Sequence, residues 1–233
     1  TEYALNKLKE KGHFISVATG RLYTMTKPFC DQFGISNMVT DGGFGTVLNG
    51  QVDIKPLDRQ MMIDIVDVFE EKNIPWAICM ADERVWHTRT KKFYDIMEKD
   101  KMNYMDTVID PNLDIRKVKD IFKGFACINP EEEAGLEALK NVTYTRYRPG
   151  YIVIEPDDKS LGIRKVMDLM GIEDQDVVVF GDNTNDIKMF RPEWTSIAMG
   201  NAVEELKKIA DFVTKDADDG GIEYACRHFG WID

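Results

Sequence analysis

Strand-length apolar runs alternate with helix-length amphipathic runs at both ends of this 233-residue chain, and that alternation limits its fold more than any single motif. Thr1 to Gly12 reads as a helix, with Tyr3, Ala4, Leu5 and Leu8 at helical spacing and Gly12 suited to the stop. "HFISVATG" follows as a strand, then a helix from about Met25 to Phe33 ending at Gly34, then the strand "SNMVTDGG". The same texture returns late in the chain. "LGIRKVMDLMG", "TNDIKMFR", "AVEELKKIA" and "DGGIEYACRHFG" are helical, and "DVVVF", "TSIAMG" and "DFVT" are strands between them. Strands linked through helices make parallel sheets.

The middle differs. "LDRQMMIDIVDVFEEKN", "TKKFYDIMEKD" and "PEEEAGLEALKN" read as helices, the last opening on Pro and acidic residues. "IPWAICMA", "RVWHT", "VKDIFKGFACI", "VTYTRYR" and "YIVIEP" read as strands, and Pro149-Gly150 joins the last two through a turn. That pattern predicts an antiparallel sheet with helices on one face. The expected fold is therefore α/β, a Rossmann-like, doubly wound parallel core interrupted by an α+β module. Residues 1–56 and 155–233 are assigned to the core and 57–154 to the insert. A crossover helix needs a strand on each side. This sequence opens on the helix, so a preceding strand is expected.

Composition narrows the partners. A net charge of −11 argues against a general nucleic-acid binder, whose phosphate contacts need clustered Lys and Arg. It leaves room for a small anionic substrate held by local donors or a metal. Cys30, Cys79, Cys127 and Cys226 form no CxxC pair, so reduced thiols and a cytoplasmic location are expected. No apolar run approaches a membrane span. His13, His87 and His228 lie far apart and read as surface or packing residues. Oligomeric state is not readable.

In open parallel sheets, ligands bind beyond the carboxyl ends of the strands. Three strand ends here are polar: Thr19-Gly20-Arg21, Asp41-Gly42-Gly43 and Gly181-Asp182-Asn183-Thr184-Asn185-Asp186. Thr19 or Asp41 alone reads as a turn or cap. The third stretch exceeds what a cap needs. Two carboxylates and two carboxamides crowded together call for a cation, and hard oxygen donors suit Mg²⁺. Lys159, in "DDKSLGIRKVM", becomes a candidate to neutralise phosphate charge, with Thr19 as a hydrogen-bond donor to phosphate oxygens.

The succession "SVATGR", "KSLGI", "FGDNTNDIKMF", "SIAMGNAVEELKKIADFVT" and "DGGI" resembles the haloacid dehalogenase-like hydrolases, and within them the Cof-type sugar-phosphatase branch. The resemblance covers essentially the whole chain. It implies a Mg²⁺-dependent phosphatase acting on small phosphorylated substrates through an aspartyl-phosphate, with the inserted module closing over the site and choosing the substrate. It also implies that Thr19 binds the phosphoryl group, with Gly20, Arg21 and Gly42 in the same phosphate-binding turns. By the same resemblance Lys159 orients nucleophile and phosphate, Asp182 ligates Mg²⁺, Asp186 ligates it or holds its waters, and Asn185 positions the phosphate.

Two departures accompany it. The family's Asp-x-Asp-Gly-Thr, carrying nucleophile and acid/base, occurs nowhere in these residues; it belongs at the end of the strand that the topology calls for. Many members have Asn-Gly where this chain has Asp41-Gly42, so Asp41 is kept as a site residue of open role. The alternatives are a phosphomutase of the same superfamily and a non-catalytic phosphosugar- or metal-binding relative. Arg146, Tyr147 and Arg148, and Trp76 or Trp86, could line the insert's side of a site or simply cover its sheet, and are left unassigned. Phe229 and Trp231 read as packing residues.

Overall fold

The computed structural model describes residues 1–99 and 105–233. The chain folds into two compact units. The first comprises Thr1–Thr19, Pro28–Asp53 and Asp158–Asp233; the second comprises Gly20–Lys27 and Ile54–Asp157.

The first unit begins with α1 (Glu2–Glu10) and β1 (Ser16–Ala18), followed by α2 (Tyr23–Gln32), whose first turns belong to the second unit. Pro28 sits inside α2 where the unit boundary falls, and it removes one amide from the helical ladder. β2 (Asn37–Thr40) pairs in parallel with β1, as the helix between them requires. Then β3 (Gly45–Leu48) runs antiparallel to β2, and β4 (Gln51–Ile54) lies next to β3. The β3–β4 hairpin is absent from the sequence reading, although its signal is present. Asn49 and Gly50 both take positive φ, at 52° and 80°, the conformation a two-residue hairpin turn demands.

The second unit holds α3 (Arg59–Glu71), β5 (Trp76–Cys79), β6 (Val85–Thr88), α4 (Lys91–Lys99), β7 (Asp106–Ile109), β8 (Lys123–Ala126), α5 (Pro130–Ala134), β9 (Tyr144–Arg148) and β10 (Tyr151–Ile154). Asp100, the last residue of the expected "TKKFYDIMEKD" helix, lies outside the described residues. The strands form one sheet in the order β7-β6-β5-β8-β10-β9. It is mixed rather than purely antiparallel, because β6 and β7 run parallel. The helix expected over "PEEEAGLEALKN" is broken. Asn129 caps α5 through a capping box, but Leu136 is buried with extended backbone, and a separate 3-10 turn runs from Glu137 to Asn141. Burying Leu136 here outweighs the helical propensity of its neighbours. Trp86 packs edge-on against Phe93 and Phe125, with ring centroids 5.4 and 5.6 Å away, in the core of this unit. Leu22, wholly buried, joins that core, and this draws Gly20–Lys27 out of the first unit, where the sequence reading had assigned it.

The chain returns to the first unit with α6 (Lys159–Met170), β11 (Val178–Gly181), β12 (Thr195–Ala198), α7 (Glu204–Ile209), β13 (Phe212–Val213) and α8 (Gly221–His228). The last three strands form a parallel sheet, β11-β12-β13. "TNDIKMFR" forms a 3-10 turn over Thr184–Met189 rather than an α-helix. Arg191 precedes Pro192, which disfavours a helical conformation there. Phe229 stacks on Trp231 with ring centroids 4.7 Å apart, so both are packing aromatics, though Phe229 is partly exposed.

The parallel part of the first unit is thus split into two sheets, one edged by β1 and the other by β11. They share a core. Ala18 of β1 packs into the cluster formed by Val179, Ala198, Met199 and Leu206, while α6 lies against β2, β3 and the turn after β11. Among the described residues, β1 and β11 each keep one edge without a strand partner.

Candidate active site

Three strand ends and the first turn of α6 converge in the first unit. At the end of β1 the Thr19 amide donates to the Val39 carbonyl (2.9 Å), and the Thr19 carbonyl accepts from the Gly42 amide (3.2 Å). The ends of β1 and β2 are therefore stitched together. Beyond β2, Asp41, Gly42 and Gly43 all take positive φ, at 51°, 62° and 108°. Aspartate is one of the few side chains that tolerates this region. That supplies a backbone reason for the residue type at 41, independent of any ligand. The Asp41 side chain is buried, and a Cβ built on Gly45 would come within 2.9 Å of its Oδ2.

Gly43 carries this turn onto α6. A Cβ there would lie 2.2 Å from the Asp158 carbonyl oxygen and 3.2 Å from the Lys159 Cα, so only glycine permits the approach. Asp158 caps α6, accepting from the Ser160 amide at 3.0 Å. Lys159, the first residue of the helix, turns its side chain inward: Nζ donates to Asp186 Oδ1 at 2.6 Å, and both side chains are more than nine-tenths buried. Asp186 Oδ2 accepts from the amides of Asp182 (2.9 Å) and Asn183 (3.1 Å), while Asn183 Oδ1 accepts from the Thr184 amide (2.7 Å). This reciprocal capping box shapes the turn beyond β11, in which Asp182 is exposed. Burial and the charge of Asp186 raise the Asp182 pKa above the ordinary aspartate value, and Lys159 opposes the rise. Asn185 is half-buried in the same turn.

The expected residues therefore separate into two sets. Thr19, Asp41, Gly42, Lys159, Asp182, Asn185 and Asp186 belong to the first unit, linked through the contacts just described. Gly20 and Arg21 belong to the second, where the Gly20 carbonyl accepts from Lys123 Nζ at 2.7 Å and Arg21 is exposed. The unassigned residues of the second unit resolve as follows. Trp86 is core; Trp76 is buried and donates from Nε1 to Glu70 (3.2 Å); Arg146 is committed to Glu133 and to the carbonyls of Ile128 and Pro149. "AMGNA" is bonded to the segment that leads into "DGG". The Gly200 amide donates to the Lys215 carbonyl and Asn201 Oδ1 accepts from the Ala217 amide, both at 2.9 Å.

Among the described residues, no three His, Cys, Asp or Glu side chains converge closely enough to hold a metal by themselves. Asp186 spends both oxygens on Lys159 and two amides, which makes it an anchor for the turn rather than an open ligand. The exposed Asp182 carboxylate fits one position around Mg²⁺. That ion characteristically keeps several waters and takes one or two carboxylates together with phosphate oxygens.

The family model for haloacid dehalogenase-like hydrolases matches residues 1–225. The chain belongs to the haloacid dehalogenase-like hydrolase family. The resemblance read from the strand-end motifs is borne out. Bacillus subtilis YkrA is 29% identical over 245 residues, spanning 100% of this chain and 90% of that protein. A solved structure from Geobacillus kaustophilus matches with a TM-score of 0.86 and 29% identity, over 99% of this chain and 91% of the other. The subclass IIB sugar phosphatase BT4131 matches with a TM-score of 0.77 and 26% identity, over 99% and 90%. Among the described residues of this haloacid dehalogenase-like hydrolase, no helix is long and apolar enough to cross a membrane.

Proposed function

We propose that this hydrolase is a Mg²⁺-dependent phosphatase of small phosphomonoesters, sugar phosphates among them. The observation that carries this reading is the inward-turned Lys159 held by Asp186 beside the exposed Asp182, at the carboxyl end of a parallel strand. BT4131, similar along nearly its whole length, is described as a sugar phosphatase, and Bacillus subtilis YitU, 22% identical over 95% of this chain, as a 5-amino-6-(5-phospho-D-ribitylamino)uracil phosphatase.

In this reading a carboxylate attacks phosphorus, the alcohol leaves, and water then cleaves the aspartyl-phosphate to inorganic phosphate. Mg²⁺, when bound, neutralises charge on the transferring phosphoryl group. Asp182 supplies a carboxylate to it. Lys159, fixed by Asp186, places its ammonium at the site, and Thr19 donates to a phosphoryl oxygen. Asn185 positions the phosphate. The Asp41–Gly43 turn, whose Gly42 amide is bonded to the Thr19 carbonyl, holds the end of β1 beside it. The nucleophile has no counterpart among these residues. Among the described residues β1 and β11 each end a sheet, and we assign the nucleophile to the end of a further parallel strand beside them.

The test uses the full-length protein and a panel of phosphate esters, with Mg²⁺ or with a chelator. Release of free phosphate only with Mg²⁺ supports the reading. Return of the phosphoryl group to a second position on the sugar would make the protein a mutase. The lack of a three-carboxylate cluster among the described residues favours, as a second reading, a phosphate-binding relative without turnover; no phosphate release from any ester would establish it.

A further inference from the structure

The second unit contains a buried charged network that the reaction does not use. Lys123 opens β8 and Glu155 directly follows β10, two antiparallel strands in which Ile154 pairs with Gly124. The two side chains form an ion pair, with exposures of only 7% and 3%. Lys123 Nζ also donates to the Gly20 carbonyl at 2.7 Å, and Glu155 Oε1 accepts from the Tyr147 hydroxyl at 2.6 Å. Burial and the charge of Glu155 raise the Tyr147 pKa, so this hydroxyl keeps its proton and stays a donor at neutral pH.

Burying such a pair is a poor way to gain stability, since apolar side chains of the same volume commonly do as well or better. What it supplies instead is direction, because each hydrogen bond fixes an orientation. Here the direction is aimed at Gly20. A Cβ on Gly20 would lie 3.2 Å from the Tyr147 hydroxyl oxygen and within 3.8 Å of both Glu155 carboxylate oxygens, so the glycine of Thr-Gly-Arg lets the network reach the backbone. Two of the chain's four changes of unit fall between Thr19 and Gly20 and between Asp157 and Asp158. The network grips both passages on their second-unit side. One residue beyond the first lies Thr19, and shortly beyond the second lies Lys159. Asp82, accepting from the Thr24 amide at 3.2 Å, fastens the middle of the Gly20–Lys27 segment.

We propose that Lys123, Glu155 and Tyr147 are positioning residues that fix the Gly20 carbonyl, and with it the backbone from which Thr19 and Lys159 reach the phosphoryl group. The inference rests on the phosphatase reading for the roles of Thr19 and Lys159; the geometry of the network stands without it.

The experiment compares full-length wild type with Glu155→Gln, Lys123→Met, the double variant and Tyr147→Phe, using p-nitrophenyl phosphate. Misplaced reacting groups cost turnover up to about 100-fold. The expected result for each ion-pair variant is a kcat loss of about 10-fold or more with KM within about 2-fold, the double being no worse than the worse single. Lys123→Arg restores part of the loss. Amide exchange over Gly20–Lys27 quickens in Glu155→Gln while that of β12 is unchanged. Folded variants with wild-type kcat, or losses that merely follow the unfolded fraction, overturn the proposal. If the ion-pair variants do not fold, Tyr147→Phe decides the question, since it removes one hydroxyl from a partly exposed ring: an unchanged kcat and unchanged exchange at Gly20 and Arg21 overturn the proposal. If the wild type hydrolyses no ester, the phosphatase reading fails, and exchange at Gly20–Lys27 alone judges the network.

Discussion

Replacing Asp186 with Ala tests the site's architecture through stability alone. The carboxylate accepts from Lys159 Nζ at 2.6 Å and from the Asp182 and Asn183 amides at 2.9 and 3.1 Å. Its removal leaves an ammonium, 6% exposed, without its counter-charge, and two amides without their acceptor. Breaking one side of a buried ion pair costs about 3–5 kcal/mol. At about 2–4 °C per kcal/mol for a chain of this size, the melting temperature falls by about 6–20 °C. The informative control is the double variant Asp186→Asn, Lys159→Met. The carboxamide still offers an oxygen to the two amides, and no charge is left unpaired, so most of the loss returns. Thermal unfolding of wild type, Asp186→Ala and the double variant, followed by circular dichroism, measures both. A loss below about 1 kcal/mol for Asp186→Ala, or a double variant as unstable as it, would refute the reasoning that a buried pair holds this turn.

Other consequences follow from the same contacts. Lys159→Met in the full-length protein lowers kcat by about 100-fold or more, as losing a preorganised charge at a phosphoryl site does, measured as phosphate release. Gly43→Ala drives a Cβ to 2.2 Å from the Asp158 carbonyl at a φ of 108°, and costs about 1–3 kcal/mol in chemical denaturation. In the second unit, burial acts to raise the Glu133 pKa, but the Tyr144 hydroxyl and the Arg146 guanidinium outweigh it and hold the group below its ordinary 4.5. A depressed carboxylate stabilises the fold above its unfolded pKa, and that stability is lost as pH falls through the folded pKa. Glu133→Gln therefore destabilises by about 1.5 kcal/mol at neutral pH and has little effect well below 4.5, read from melts across pH.

The features legible in the sequence were those encoded locally. Strand β11 and its polar turn stand out because Val178 to Phe180 are apolar and the next residues cap a turn, and the parallel pairing of β1 with β2 followed from the helix between them. The pairing of Lys159 with Asp186 joins residues 27 positions apart, and the pairing of Lys123 with Glu155 joins residues 32 apart. Neither leaves a periodic trace, so Lys123 and Glu155 passed as ordinary strand residues. Thr-Gly-Arg read as one phosphate loop, yet Leu22, wholly buried, pulls Gly20 and Arg21 into the other unit. The break in "PEEEAGLEALKN" falls at Gly135, which caps α5, a local stop that the helical run around it masks, with Leu136 turned into the core beyond it. The φ of 51° at Asp41 suits aspartate and asparagine alike, a turn requirement that leaves no pattern in the sequence.

The central claim is that Asp182 and Lys159 flank a phosphoryl-transfer site. Its most direct test is phosphate release from p-nitrophenyl phosphate by the full-length protein, wild type against Asp182→Ala, with Mg²⁺ and with chelator. The account predicts turnover that needs Mg²⁺ in the wild type and is abolished in a folded Asp182→Ala. Equal turnover by the two proteins, or turnover indifferent to Mg²⁺, would contradict it.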